Sequence, residues 1–199
     1  MKIMDLKFET NNLIEEASRI IRNGGIAILP FDTVYGFACD SRNEKALQKI
    51  YELKRRPIQK TVGLAAADIE ALKSIAELTN VAEEYITQRS PGRYTFILKK
   101  KLGASVSESC LQGCTVGIRI PDSQLILDIA KASGGIIAQT SANISGQPNC
   151  FSLDDVKNQY SENDLRAVDL IVDGGQLNIA ETSKLIDLTG ETPREIERS

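Results

Sequence analysis

Histidine and tryptophan are absent from the 199 residues, and aromatic residues make up only 5% of the chain. Without histidine there is no Ser-His or Cys-His dyad, and the commonest general base is missing, which excludes the usual nucleophilic hydrolase arrangements. Cysteine is scarce: Cys39, Cys110, Cys114 and Cys150 form no C-x-x-C pair. Cys110 and Cys114 are four apart, but a zinc site with only two thiolates recruits histidine, so free buried thiols and no bound metal are expected. No apolar run approaches the ~20 residues of a membrane span, and the start "MKIMDLKFETNN" lacks the apolar core of a signal peptide. No membrane partner is therefore expected, and the expected location is cytoplasmic. Neither a G-x-x-x-x-G-K-[ST] loop nor a G-x-G-x-x-G turn is present, so a nucleotide would not be held by the common glycine-rich devices. A net charge of −3 argues against a surface that coats nucleic acid in general, and any basic patch must be found by position.

What is present is enough apolar material for a real core, 42% of the residues, and a length that fits a single domain over 1–199. Helices and strands alternate, which argues an α/β class. In "NNLIEEASRIIRNGG" Leu13, Ala17, Ile20 and Ile21 share a helical face, Asn12 and Glu15 have capping-box spacing, and Gly24 supplies the stop. The strand "IAILP" follows. Ser41 and Glu44 are placed to cap a second helix with an apolar stripe of Leu47, Ile50 and Leu53, which must end before Pro57. The pattern predicts further helices near 68–77, 80–89, 123–132 and 153–160, the last opened by Ser152. It predicts strands at "YTFILK", "TVGIRI", "GIIAQT", "DLIVD" and "KLIDL".

Two segments echo one another. "IIRNGGIAILPFDTVYG" and "IAKASGGIIAQTSANISG" both run helix, Gly-Gly, buried strand, then short polar residues ending in glycine. In open α/β sheets ligands sit beyond the carboxyl ends of strands, so both bursts are candidate site loops, although either alone is equally explained as a turn. "YELKRRPIQK" concentrates Lys54, Arg55, Arg56 and Lys60; they are either cations at a helix C-terminus or holders of nucleotide phosphates. Arg119 interrupts an apolar strand, facing either solvent or a cleft that binds carboxylate or phosphate. Thr140, Ser141, Asn143 and Ser145 offer donors with no base nearby to activate them, which suits binding better than nucleophilic attack. Phosphoryl and nucleotidyl transfer need chiefly cations, donors, magnesium and alignment, and a site without histidine can supply these.

"LPFDTVYGFACD", "LKRRP" with Lys60, "PGRYTFIL", "TVGIRIPD" and "TSANISGQP" occur in an order that resembles the YrdC-like family, the threonylcarbamoyl-AMP synthases that serve tRNA modification. The likeness runs from about Gly24 to the end and includes a K-x-R (Lys54, Arg56) and an S-x-N (Ser141, Asn143); its length is that of the short single-domain form. The resemblance implies a twisted, open, mixed α/β sheet with flanking helices around a basic cavity. It implies a nucleotidyltransferase that makes threonylcarbamoyl adenylate and pyrophosphate from L-threonine, bicarbonate and ATP, with Mg2+ accompanying the nucleotide. Thr33, Tyr35, Arg119 and Ser183 would serve the amino acid, with Tyr35 lining the cavity. Lys54, Arg56, Lys60, Thr115, Ser141 and Asn143 would hold the nucleotide, and of these Lys54, Arg56, Ser141 and Asn143 would meet the developing charge. The product would pass to threonylcarbamoyl-transferase proteins, with tRNA a further partner. The alternatives are a non-catalytic RNA-binding member and a different carbamoyl transfer on the same fold.

Overall fold

A computed structural model describes residues 2–7, 10–57, 60–178 and 183–197. Its strands are β1 (Lys2–Asp5), β2 (Ala27–Pro30), β3 (Tyr35–Asp40), β4 (Gly63–Ala66), β5 (Tyr94–Lys99), β6 (Leu111–Gln112), β7 (Thr115–Arg119), β8 (Ile136–Ser141), β9 (Leu170–Asp173), β10 (Lys184–Asp187) and β11 (Arg194–Ile196). The helices are α1 (Thr10–Arg22), α2 (Glu44–Lys54), α3 (Ile69–Ile75), α4 (Asn80–Thr87), α5 (Gln124–Ala132), α6 (Leu153–Gln159) and α7 (Glu162–Leu165).

The helices form where apolar spacing and caps agree. Leu13, Ala17, Ile20 and Ile21 are all buried along one side of α1, and Gly24, at φ 82°, ends it in the left-handed region. The expected cap at Asn12 is overtaken, because the helix already begins at Thr10. For α2 the cap is Asn43 and not Ser41: the Asn43 side chain accepts from the Ala46 amide, while Ser41 is buried. Arg55 closes α2 with φ 48°, the described non-glycine residue with positive φ. Ser152 caps α6 as its sequence suggests, in a reciprocal box with Asp155.

The sheet runs β1-β9-β2-β3-β8-β4-β7-β5-β10-β11, with β6 paired to β7. It is mixed: β1, β9 and β2 are parallel, β3 is antiparallel to both β2 and β8, and β4 is antiparallel to β8 but parallel to β7. Since β3 opposes both neighbours, β2 and β8 run the same way, and their following loops leave from the same edge. The two echoing segments thus deliver their polar loops side by side.

Strand alternation sends side chains to two different layers. On one face Ile28, Phe37, Cys39, Leu64, Phe96 and Ile118 pack with α2, α3, α4 and α6. On the other, Ala27, Leu29, Ala38, Ala65, Ile137 and Leu170 pack under Leu13, Ala17, Ile126 and Ile129 of α1 and α5. This second layer takes no described residue from β7, β5 or β10, and there the face stays open. The open region carries the site. Expecting all four thiols to be buried is corrected at one position: Cys39, Cys110 and Cys150 are buried, but Cys114 lies exposed beyond the β6 turn.

Candidate functional site

Glycine makes the room. Gly36 and Gly63 sit opposite Ser141 and Gln139 of β8, hence on the same face, and Gly117 of β7 is opposite Ile97 of β5. A Cβ on Gly63 would meet the Gln139 amide nitrogen at 3.2 Å, and one on Gly36 would meet the Phe31 ring at 2.9 Å. With no side chain at Gly63, a cavity of about 260 Å3 opens over the sheet, while the space above Gly36 is taken by the Phe31 ring. Thr33 and Val34 enter it from the β2–β3 loop, and Gln139, Thr140 and Ser141 from the end of β8. Thr61 and Gly63 form the side toward β4, Thr95, Arg119 and Ser183 the opposite side, and Arg56 and Asn149 complete the wall.

Two guanidiniums are drawn into this space. Arg119 is 3% exposed and pairs with Asp32, while its Nη2 also donates to the Gly92 carbonyl at 3.3 Å. The Asp122 amide donates to the same Asp32 oxygen at 3.2 Å, so Asp32 ties the β2–β3 loop to the chain leaving β7. Arg119 Nε and Asp32 Oδ1 are buried without a hydrogen-bond partner among the described residues. Burial pulls the Arg119 guanidinium below its usual range, and the charge of Asp32 opposes this. Arg56 donates through Nη1 to Thr140 Oγ1 at 3.2 Å and through Nη2 to the Thr61 carbonyl at 2.9 Å, leaving a buried Nε unpartnered. Its pKa is also lowered by burial. Opposite, Thr95 Oγ1 and Ser183 Oγ lie 2.8 Å apart in hydrogen-bond contact. Both guanidiniums border the cavity, and a ligand with carboxylate or phosphate oxygens would answer their charge.

The Sua5/YciO/YrdC family, described by the phrase telomere recombination, matches residues 19–199. The chain belongs to this family. A threonylcarbamoyl-AMP synthase of Escherichia coli K12 is 32% identical over 197 residues, spanning 93% of this chain and 98% of the relative. The crystal structure of P. abyssi Sua5 complexed with L-threonine superposes with a TM-score of 0.87 at 30% identity, covering 98% of this chain and 56% of that one. The chain therefore spans little more than half of that Sua5 protein. E. coli YciO superposes with a TM-score of 0.84 at 27% identity and is covered over 94% of its length.

Within this Sua5/YciO/YrdC chain the residues singled out in the sequence divide into three groups. Thr33, Arg56, Arg119, Ser141 and Ser183 come together around the cavity, though they derive from five separate segments. Lys54 and Asn143 stand behind it. Lys54 is 2% exposed, and its ammonium donates to the carbonyls of Ser141 and Asn143 and to Asn143 Oδ1 at 3.3 Å. Burial, then repulsion from Arg56, pulls its pKa down to about 7. Asn143 accepts from Ser141 Oγ at 2.5 Å and donates to the Gln147 carbonyl at 2.7 Å.

The third group lies elsewhere. Tyr35 does not line the cavity: it is fully buried, donating to the Gly175 carbonyl at 2.8 Å and accepting from the Gly174 amide at 2.9 Å. The β2–β3 hairpin places it in the opposite layer, because position 35 alternates with Gly36. Thr115 shares the sheet face of Arg119 but lies four residues away, ~13 Å along the strand, and its hydroxyl donates to the Gln112 carbonyl at 2.9 Å. Lys60 is exposed and outside the lining; its carbonyl accepts from the Tyr51 hydroxyl at 2.8 Å. Sequence reasoning left Asp32, Thr61, Thr95, Gln139 and Asn149 unassigned. Gln139 carried a readable signal, a polar side chain within the apolar run "GIIAQT", the same signature that marked Arg119.

Proposed function

We propose that the chain is a threonylcarbamoyl-AMP synthase, joining L-threonine, bicarbonate and ATP into threonylcarbamoyl adenylate and pyrophosphate. The observation that carries this reading is that Arg56 and Arg119 open onto one cavity, each with a buried, unpartnered Nε, with hydroxyls between them. One substrate carboxylate and one polyphosphate would answer the two cations. The synthases among the relatives and the threonine complex of P. abyssi Sua5 support the same assignment.

In this proposal Arg119, Thr33 and Ser183 hold the amino acid, and Arg56, Thr140 and Ser141 hold the triphosphate. The threonine ammonium gives up a proton to solvent, and the free amine nitrogen then bonds to the carbon of bicarbonate as water leaves, to give a carbamate. A carbamate oxygen then bonds to the α-phosphorus as the bond to the pyrophosphate oxygen breaks. The nucleophile is already an anion, so the second step asks the protein for alignment and charge stabilisation rather than for a base. That suits a chain without histidine. The described lining residues include no carboxylate, so a magnesium ion would be held by the phosphates of the incoming ATP. The product would be consumed in the cytoplasm by a threonylcarbamoyl transferase acting on tRNA.

Pyrophosphate release measured with threonine, bicarbonate and ATP omitted in turn tests the reading. Release is expected only when all three are present, and mass spectrometry of a reaction offered mixed amino acids is expected to find the threonylcarbamoyl adenylate. Release without threonine, or a product built on another amino acid, would replace it.

A further inference from the structure

We infer that Lys54 is a positioning residue: from behind the cavity its ammonium holds the Ser141–Asn143 loop in the shape that receives the nucleotide, without itself touching the nucleotide. The inference rests on the adenylate-forming reading of the cavity, which it deepens.

The geometry separates Lys54 from Arg56, two residues further on. Arg56 is partly exposed and forms part of the cavity wall, whereas Lys54 is 2% exposed and does not. Among the described residues its Nζ hydrogen-bonds to oxygens of one loop: the Ser141 carbonyl, Ser141 Oγ at 3.4 Å, the Asn143 carbonyl at 2.8 Å and Asn143 Oδ1 at 3.3 Å. Three N–H donors as the ammonium, or two once its proton is lost, face four acceptors, two of them on Ser141, so the amino group is already engaged by the loop. The Lys54 backbone takes part as well, its carbonyl accepting from the Ser145 amide at 2.8 Å. The loop is thus fastened to the end of α2 at 141, 143 and 145. Of these residues Ser141 alone reaches the cavity wall, with Asn143 accepting from its hydroxyl at 2.5 Å.

A charge held by neutral oxygens, with no carboxylate among its described hydrogen-bond partners, is a poor way to gain stability alone. It is a good way to hold two inward-turned carbonyls that would otherwise be buried unsatisfied. The consequence is a division of labour inside the K-x-R pair: Arg56 meets the ligand, and Lys54 sets the orientation of Ser141.

Lys54→Met, Ser141→Ala, Arg56→Ala and the double variants with Lys54→Met test this. Backbone amide resonances of the nucleotide-free protein are recorded beside kcat and the KM for ATP. In Lys54→Met the amides of residues 141–145 are expected to shift or broaden while those of β5 and β9 stay in place. Its kcat is expected to fall by ~100-fold, the scale set by a small misplacement of a reacting group. Adding Ser141→Ala to Lys54→Met should cost little more, because one loop carries both effects, whereas adding Arg56→Ala should multiply the losses. Three results would overturn the inference: unmoved loop amides with a raised KM for ATP, full multiplicativity with Ser141→Ala, or shifts spread over the whole protein. Should Lys54→Met not fold, Lys54→Arg is read by the same criteria, since it keeps the charge but not the shape. The resonance arm needs no substrate, so it stands or falls independently of whether pyrophosphate is released.

Discussion

At the scale of single residues, Lys54 carries a charge that its surroundings disfavour, and the sign of its effect on stability follows. The unfolded chain keeps this proton to about 10.5, whereas the folded chain releases it near 7. Between those values the unfolded state binds more protons, so this group makes stability rise with pH above about 7. The buried thiols act in the opposite sense: burial raises Cys110 to about 12 and Cys150 to about 11 from an ordinary 9.0. The unfolded state then loses those protons first, and stability falls above about 9. Urea midpoints between pH 6 and 10 are expected to peak between these two limits, and Lys54→Met is expected to flatten the rising side. Tyr35 gives a second residue-level prediction. Tyr35→Phe removes both hydrogen bonds to the Gly174–Gly175 backbone, a loss of about 1–3 kcal/mol. It should lower the melting temperature and leave the KM for threonine unchanged, whereas a raised KM would return Tyr35 to the binding site.

At the scale of elements, the cavity has its room because β4 presents Gly63 on the face that α1 and α5 leave uncovered. Gly63→Val should fill that space: the valine backbone suits a strand, and its branches would project beside Gln139. Turnover is expected to fall at least ~10-fold, as for misplaced substrate groups, with the circular dichroism spectrum retained; undiminished turnover would show that the ligands do not sit over β4. Which elements were legible follows from their periodicity. α1, α2 and α6 show an apolar stripe or a cap signal, and β5, β7, β8, β9 and β10 are apolar runs between turn residues. β3 and β4 were not legible. In β3 every position but Asp40 is buried, so the alternation that marks a strand is lost, and its first residues read as a polar loop after Pro30. β4 is built from Gly, Leu and Ala, residues that favour no strand.

For the whole molecule, ligand and fold are linked by mass action. ATP at 100 times its Kd adds about 2.7 kcal/mol, which for a chain of this size means a rise in melting temperature of ~5–10 °C. The rise is expected with ATP and to be enlarged by threonine. The same measurement addresses the RNA-binding alternative, since duplex RNA that stabilised the protein where ATP did not would favour that reading. A net charge of −3 and the inward placement of Lys54 and Arg56 leave few of the clustered cations turned toward an extended backbone.

The sequence by itself determined the chemistry the protein has to do without, the alternation of helices and strands, and the two polar loops that follow buried strands. These are local properties, written in composition and in spacings of two to four residues. It also marked Arg119, Ser141 and Arg56, because a charge or a donor inside an apolar pattern needs a reason. Only the tertiary structure decided which way each side chain turns. Lys54 and Arg56 share a helix end, yet one faces the 141–143 loop and the other the cavity. Asp32 meets Arg119 across 87 positions of sequence, and Tyr35 meets Gly175 across 140. Such pairings depend on strand order and on which face each position occupies, and a shift of one residue in register would send strand residues such as Tyr35 and Arg119 to the other side of the sheet.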